Sequence, residues 1–108
     1  MINITTSSRY KINRKKIKET FNIDGVINII FVGKNKMRLI AKKYKKENLA
    51  LPVLSFNYDE STIDKNEKLL GEVFICYPQA VLLSAERNKK VDDTILNLIK
   101  HGIENIIN

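Results

Sequence analysis

The feature that most constrains the fold of this chain is the run Val26-Ile27-Asn28-Ile29-Ile30-Phe31-Val32. Six of its seven residues are β-branched or aromatic, and Gly33 closes the run. β-Branched and aromatic side chains pack well on a pleated surface, and a glycine typically bounds such a segment. The sequence therefore predicts a strand over residues 26–32, and we expect it to lie at the centre of the sheet.

Shorter signals predict the elements on either side of this strand. Residues 2–5 alternate apolar and polar and are typical of a short strand. Residues 13–21 favour a helix, with Ile17 and Phe21 one turn apart. Asp24-Gly25 indicates a turn before the central strand.

A basic helix is predicted directly after the central strand, with Asn35 as a candidate N-cap. Four apolar positions follow the i, i+3, i+4, i+7 spacing of one helix face; they are Met37, Ile40, Ala41 and Tyr44. The other faces carry the basic residues Lys36, Arg38, Lys42, Lys43, Lys45 and Lys46.

The second half of the chain predicts two strands followed by two helices. Pro52 opens a strand over residues 53–58, a polar and acidic loop occupies 59–68, and a further strand covers 71–77. Pro78 suits the first position of a helix that ends near residue 87. Asp92 is the candidate cap of the last helix. Its buried face comprises Ile95, Leu98, Ile99, Gly102, Ile103 and Ile106.

The element order is therefore β-α-β-α-β-β-α-α, which places the chain in the α/β (α+β) class. We expect a mixed four-stranded sheet with about four helices. A length of 108 residues suits a single domain spanning residues 1–108.

Charge is distributed unevenly along the chain. Residues 1–46 carry a net charge of +11 and residues 47–108 a net charge of −4, within a total of +7. A basic half on a small domain is typical of proteins that bind a polyanion such as RNA. A general bias of the sequence toward Lys, Asn and Ile is the competing explanation.

Targeting signals and cysteine usage indicate a cytoplasmic protein. The N-terminal residues lack the basic and apolar regions of a secretory signal, and the longest apolar runs are too short to cross a bilayer. The single cysteine, Cys76, cannot form an internal disulfide, and we expect it to be buried in a strand. We therefore expect no membrane partner.

His101 is the single histidine of the chain and lies in the last predicted helix. Two histidines four residues apart on a helix, with a third just beyond, form a common zinc site. Here the residue four positions after His101 is Asn105. The sequence thus has one of the three ligands that such a site requires.

Four segments together resemble the YbeY family of bacterial rRNA maturation factors, which are regarded as metal-dependent, single-strand-specific endoribonucleases. These segments are Tyr44-Lys45-Lys46-Glu47-Asn48, Pro52-Val53-Leu54-Ser55-Phe56, Leu69-Leu70-Gly71-Glu72-Val73-Phe74-Ile75 and His101-Gly102. The resemblance covers nearly the whole chain in the family's order. It implies the YbeY-type fold and a role in rRNA processing.

The chain departs from the family pattern at positions that face the metal and the substrate. The second family histidine falls on Asn105, and the third would lie beyond Asn108, so the chain resembles a C-terminally short member lacking two of three ligands. The family arginine falls on Lys45, and the acid after Leu-Gly is Glu72.

The family's zinc is therefore expected to be absent or weakly bound in this chain. One histidine cannot hold a tight zinc ion, and an amide oxygen such as that of Asn105 is a poor zinc ligand. Three interpretations of His101 remain open. It is a remnant without a role, a general base acting without metal, or a metal ligand that is weak, intermolecular or completed by a missing C-terminal extension.

The candidate catalytic residues are His101 and Lys45, with His101 also the candidate metal ligand. The resemblance implies that Lys45 acts on RNA, and lysine keeps the charge of the family arginine without its planar fork. The candidate RNA-binding residues are Lys45, Arg14, Lys15, Lys18 and Lys42. Solvated helix faces would explain these basic residues equally well.

Three functional hypotheses follow, all without a small-molecule substrate. The first is a YbeY-like rRNA maturation factor whose endoribonuclease activity is weak or lost. The second is a noncatalytic RNA- or ribosome-binding protein on the same scaffold. The third is a truncated gene product whose missing C-terminal segment held the other ligands.

Overall fold

The computed structural model describes residues 1–58 and 68–107, and its elements follow the predicted order. They are β1 (Ile2–Thr5), α1 (Arg14–Thr20), β2 (Val26–Val32), α2 (Lys34–Lys45), β3 (Val53–Asn57), β4 (Leu69–Cys76), α3 (Tyr77–Glu86) and α4 (Val91–Ile107). The order β-α-β-α-β-β-α-α is thus confirmed. The loop predicted over 59–68 lies outside the described residues, except for Lys68.

The strands form one mixed sheet in the spatial order β1-β2-β4-β3. β2 pairs in parallel with both β1 and β4, whereas β3 pairs with β4 in the antiparallel direction. The predicted central position of residues 26–32 is therefore confirmed. Gly25 precedes this strand with a φ of +116°, a backbone conformation that residues with a Cβ atom rarely adopt.

Two apolar clusters lie on opposite faces of this sheet, because successive side chains of a strand alternate between its faces. One cluster joins Ile29 and Val73 to buried residues of α1, α3 and α4, such as Ile17, Ala80 and Ile99. The other joins strand residues to Met37 and Ala41 of α2; its strand members are Val32, Leu54 and Cys76. α2 therefore packs on one face, and α1, α3 and α4 pack on the other.

The buried face of α4 agrees with the prediction. Ile95, Leu98, Ile99, Gly102 and Ile103 are buried, and Ile106 packs at the edge of the same cluster. This stripe recurs at helical spacing, which is why the sequence identified it.

Both predicted N-caps are wrong by two residues. α2 begins at Lys34 because the Gly33 carbonyl accepts the first helical hydrogen bond, from the Met37 amide at 3.0 Å, so Asn35 lies inside the first turn. In α4 the Thr94 amide donates to the Lys90 carbonyl at 3.1 Å. Asp92 therefore lies in the first turn, where a carboxylate interacts favourably with the helix dipole.

Within residues 1–58 and 68–107, none of the helices combines the length and apolar character needed to cross a membrane.

Candidate functional site

The residues predicted from the sequence do not converge on a single site. Arg14, Lys15 and Lys18 belong to α1 and His101 to α4, which both pack on one face of the sheet. Lys42 and Lys45 belong to α2, which packs on the opposite face. The candidate RNA-binding residues therefore form two separate basic surfaces.

His101 lies on the exposed side of α4, next to the glycine that brings this helix close to the sheet. A Cβ atom on Gly102 would lie 2.6 Å from Cγ1 of Val73, so the helix backbone approaches β4 closely at this point. Asn105, one turn further along, is also exposed, and Glu104 is half-buried. No group of three or more His, Cys, Asp and Glu side chains that could hold a metal ion occurs among the described residues.

Cys76 is fully buried at the end of β4, as expected. Burial raises the pKa of its thiol, while a backbone hydrogen bond from Gln79 and the charge of Lys34 act in the opposite direction. Metals bind the thiolate form, so a buried, protonated thiol on the α2 face is poorly placed to join a site around His101.

The outer surface of α2 is strongly basic. The helix carries no acidic residue, and all of its basic side chains are exposed: Lys34, Lys36, Arg38, Lys42, Lys43 and Lys45. We call these six residues the α2 basic surface. Three of them, including Lys42 and Lys45, lie in the last turn, where cations interact favourably with the negative end of the helix dipole. These last-turn lysines thus stabilise the helix, whereas Lys34 and Lys36 lie in its first turn.

Two of the three candidate RNA-binding residues of α1 make contacts within the protein. Arg14 donates a hydrogen bond to the carbonyl of Ile4 at 3.2 Å. Lys15 lies 3.9 Å from Glu19 in an ion pair whose two side chains are largely exposed. Exposed pairs of this kind contribute little to stability and exchange readily with solvent. Lys18 is exposed in the last turn of the helix.

A groove beside α2 was not anticipated from the sequence as a site. It has a volume of about 590 Å³ and lies between α2 and the sheet. We call it the α2 groove; it is lined by Ile30, Lys36, Ile40, Tyr44, Phe56, Asn57, Tyr58, Glu72 and Phe74. Among the described residues, it therefore combines four aromatic rings with one lysine and one carboxylate, next to the α2 basic surface.

Aromatic contacts organise the wall of this groove. The ring of Tyr44 meets that of Phe56 edge-on at a centroid distance of 5.1 Å, and Phe56 meets Phe74 in the same manner at 5.6 Å. Such edge-to-face pairs are a preferred geometry for aromatic side chains. The pairing of β3 with β4 brings Phe56 beside Glu72 and Leu54 beside Phe74.

Polar chemistry in the groove centres on Glu72. The hydroxyl of Tyr58 donates a hydrogen bond to Oε1 of Glu72. Burial and this hydrogen bond together raise the pKa of Tyr58 from 10.0 to about 12. Tyr58 therefore keeps its proton, and its hydrogen bond to the carboxylate, to a more alkaline pH than an ordinary tyrosine would.

The signal that could have revealed this groove is strand alternation. Glu72 and Phe74 lie two residues apart on β4, and Tyr58, directly after the end of β3, lies two residues from Phe56, so the spacing of each pair is that of one strand face. The strands were predicted, but their pairing, which joins the two pairs, is a tertiary property.

Comparison with protein families gives a match along almost the entire chain. The family model described as endoribonuclease YbeY matches residues 3–105. This range includes all eight elements of the fold, apart from the ends of β1 and α4.

Individual relatives agree with this match. The chain is 31% identical over 80 residues to endoribonuclease YbeY of Aromatoleum aromaticum, covering 74% of this chain and 49% of that protein. It is 32% identical over 94 residues to endoribonuclease YbeY of a Sulfurihydrogenibium species, covering 86% of this chain and 61% of the relative. The chain therefore spans roughly half to three fifths of the length of these curated relatives.

A solved structure has the same fold. The solution structure of TM1509 from Thermotoga maritima superposes with a TM-score of 0.62 at 19% sequence identity. The superposition covers 95% of this chain and 69% of the other.

Proposed function

The chain belongs to the YbeY family, and from this membership we propose that it acts on single-stranded RNA in rRNA maturation. We further propose that the 108 residues form a single domain that works in the cytoplasm on rRNA or the ribosome, and that its own endoribonuclease activity is weak or lost. Relatives that are 31% and 32% identical to the chain are named endoribonuclease YbeY, which supports the RNA substrate.

The observation that carries this proposal is the α2 basic surface beside an aromatic groove. Lysine and arginine side chains attract phosphates and supply most of the affinity of nonspecific nucleic-acid binding. Aromatic rings stack on unpaired bases, which single-stranded RNA exposes. A helix with six exposed basic residues next to Tyr44 and Phe56 offers both kinds of contact.

Lys45 is proposed as the residue that contacts RNA in place of the family arginine. Its ammonium group supplies a positive charge but cannot bind a phosphate through two parallel hydrogen bonds, as a guanidinium does. We expect Lys45, together with Lys42, to attract the RNA backbone while orienting it less strictly. Arg14, Lys15 and Lys18 are proposed as a separate set of phosphate contacts on the opposite face.

The zinc ion that the family resemblance implies does not fit the residues that the structure describes. One helical turn after His101 lies Asn105, whose side chain is an amide and not an imidazole. The described residues contain no cluster of three suitable ligands. We therefore propose that this chain binds zinc weakly or not at all, and we derive no catalytic step through the ion. For His101, the roles of remnant, of partial ligand and of metal-independent base remain alternatives.

A noncatalytic RNA- or ribosome-binding protein is the second candidate. The α2 basic surface favours this candidate too, because its lysine and arginine side chains need no metal to bind phosphate. The two candidates differ in one property, which is cleavage of the bound RNA.

An assay that follows binding and cleavage of the same RNA separates them. A labelled single-stranded rRNA fragment is incubated with the chain and, separately, with its His101→Ala variant. The fraction of RNA bound to protein and the amount of cleaved RNA are measured in the same samples. Salt-sensitive binding with cleavage that His101→Ala abolishes supports the enzyme. Equal binding by both proteins without cleavage supports the binding protein, and no binding by either contradicts both.

A further inference from the structure

We propose that the α2 groove is a pocket for one unpaired base of the bound RNA, with guanine preferred because of Glu72. This inference rests on the proposed function, since it assumes that RNA lies along α2. It goes further by naming the base and the residue that selects it.

The first argument is the shape and lining of the groove. A volume of about 590 Å³ accommodates a nucleotide, and the walls are formed mainly by aromatic and aliphatic side chains. Phe56 and Phe74 are half-buried and contact each other edge-on, while Tyr44 stands at the rim with 57% of its surface exposed. A base that enters the groove could therefore pack against Phe56 and Phe74 and also contact the ring of Tyr44.

The second argument is the position of the charges. Lys36 lines the groove itself, and Nζ of Lys43 lies 5.2 Å from the centre of the Tyr44 ring. A base in the groove would therefore have its own phosphate within the reach of lysines on the same helix. This complementarity favours a nucleotide over an apolar peptide segment, which would bring no charge to neutralise those lysines.

The third argument is the hydrogen-bonding capacity of Glu72. An ionised carboxylate accepts several hydrogen bonds through its two oxygens. The Tyr58 hydroxyl donates to Oε1, which holds the carboxylate in place in the groove and leaves acceptor capacity on both oxygens. A ligand that fits must therefore present hydrogen-bond donors to Glu72.

Guanine is the base that meets this requirement best. Its Watson–Crick edge presents two neighbouring donors, N1–H and the N2 amino group, which match the two oxygens of a carboxylate. Adenine, cytosine and uracil each present a single donor group on that edge. Carboxylates recognise bases through such exposed donors, and bidentate contacts discriminate well between bases.

The test compares short single-stranded RNAs that differ at one base. Oligouridines carrying one central guanosine, one central inosine or neither are titrated against the chain by fluorescence anisotropy. Inosine keeps N1–H but lacks the N2 amino group. We expect guanosine to increase the affinity over inosine by about fivefold or more, a typical discrimination for one good bidentate contact.

Two variants assign the preference to the groove. Glu72→Gln keeps the size of the side chain and an oxygen for Tyr58 but loses the second acceptor, so the guanosine preference should disappear while binding of oligouridine persists. Tyr44→Ala removes an exposed ring and should weaken binding of every RNA by roughly 5-fold to 150-fold. Glu86→Gln, an exposed substitution on α3, is the matched control and should change neither property.

The possible failures are distinguishable. Salt-dependent binding with equal affinity for all three RNAs, or a preference that survives Glu72→Gln, overturns the base pocket and leaves the proposed function intact. If Glu72→Gln binds every RNA as the unmodified chain does but no longer associates with ribosomes, the groove binds a protein segment. This result would also overturn the base pocket. Absence of any RNA binding would contradict the proposed function itself.

Discussion

Val73 and Gly102 fix the distance between the sheet and the helix that carries His101. Val73 is fully buried in β4, and its Cγ1 and Cγ2 atoms lie 2.6 Å and 3.0 Å from the position that a Cβ on residue 102 would take. The absence of a side chain at Gly102 therefore lets the backbone of α4 rest directly on β4. This contact explains why a glycine follows the histidine in the middle of a 17-residue helix.

Substituting Gly102 by alanine tests this contact. Alanine would normally stabilise a helix interior by about 1 kcal/mol relative to glycine. Here the new methyl group meets a buried, branched side chain, and overpacking of this kind costs about 1–3 kcal/mol. We expect the overpacking to dominate, so the free energy of unfolding in urea should fall.

A matched substitution on the same helix provides the control. Asn105→Ala changes an exposed position and should leave the free energy of unfolding unchanged or raise it by about 0.5 kcal/mol. Combining Gly102→Ala with Val73→Ala should cost less than the sum of the two single changes. A Gly102→Ala protein as stable as the Asn105→Ala protein would show that α4 does not depend on this contact.

The backbone architecture could be predicted from the sequence because it follows from local periodicity. The run from Val26 to Val32 forms an interior strand, and the stripe through Ile95 and Ile99 forms the buried face of α4. Both patterns repeat at the spacing of the element that they form.

The first residues of the helices and the candidate site were harder to predict than the strands and the buried helix face, for two physical reasons. The first helical hydrogen bonds are accepted by the carbonyls of Gly33 and Lys90, and a backbone carbonyl is present at every residue, so the side-chain preference that favours Asn35 and Asp92 as caps does not identify these starts. The α2 groove depends on which strands pair and on which face α2 covers. No local pattern contains that information, although the resemblance to YbeY places the acidic position after Leu-Gly at Glu72.

Tyr58 should make the stability of the chain sensitive to alkaline pH. Its pKa is about 12 in the folded protein and 10.0 in the unfolded chain, so the folded state holds this proton more tightly. The resulting stabilisation is complete below pH 10, and it is lost as the pH rises toward 12.

Tyrosinate absorbance measures this effect directly. Tyr58 should add a late component, well above its ordinary pKa of 10.0, to the titration of the folded protein, and Tyr58→Phe should remove that component. Tyr10→Phe, which changes a ring packed on the opposite face of the sheet, is the control and should leave it in place. A late component that persists in Tyr58→Phe would assign it to another residue.

Cys76 should be inert while the protein is folded. The thiol is fully buried and its pKa is raised by that burial, so reaction with a thiol reagent should be slow in buffer and fast in denaturant. Cys76→Ser places a hydroxyl in an apolar cluster and should destabilise the fold by about 1–3 kcal/mol, whereas Cys76→Ala loses volume alone. Rapid modification in buffer would show that β4 opens at this end.

Zinc stoichiometry tests the interpretation of His101. The purified chain should contain well below one zinc per molecule, because one imidazole with a neighbouring amide is an inadequate ligand set. His101→Ala should give the same value. About one zinc per chain that disappears in His101→Ala would show that other groups complete the site, and the metal-dependent endoribonuclease would then be the better description.

The central claim is that the α2 basic surface binds single-stranded RNA through its phosphates, and the salt dependence of RNA affinity tests it most directly. The affinity of the chain for a short single-stranded RNA should fall steeply with salt. In the double variant Lys42→Gln/Lys45→Gln, the slope of log affinity against log salt should decrease in magnitude by about 1.4, because each phosphate contact to a single strand contributes about 0.7. Lys89→Gln/Lys90→Gln, which changes two exposed lysines between α3 and α4, should keep the slope of the unmodified chain. Equal slopes in all three proteins, or binding that does not respond to salt, would contradict the claim.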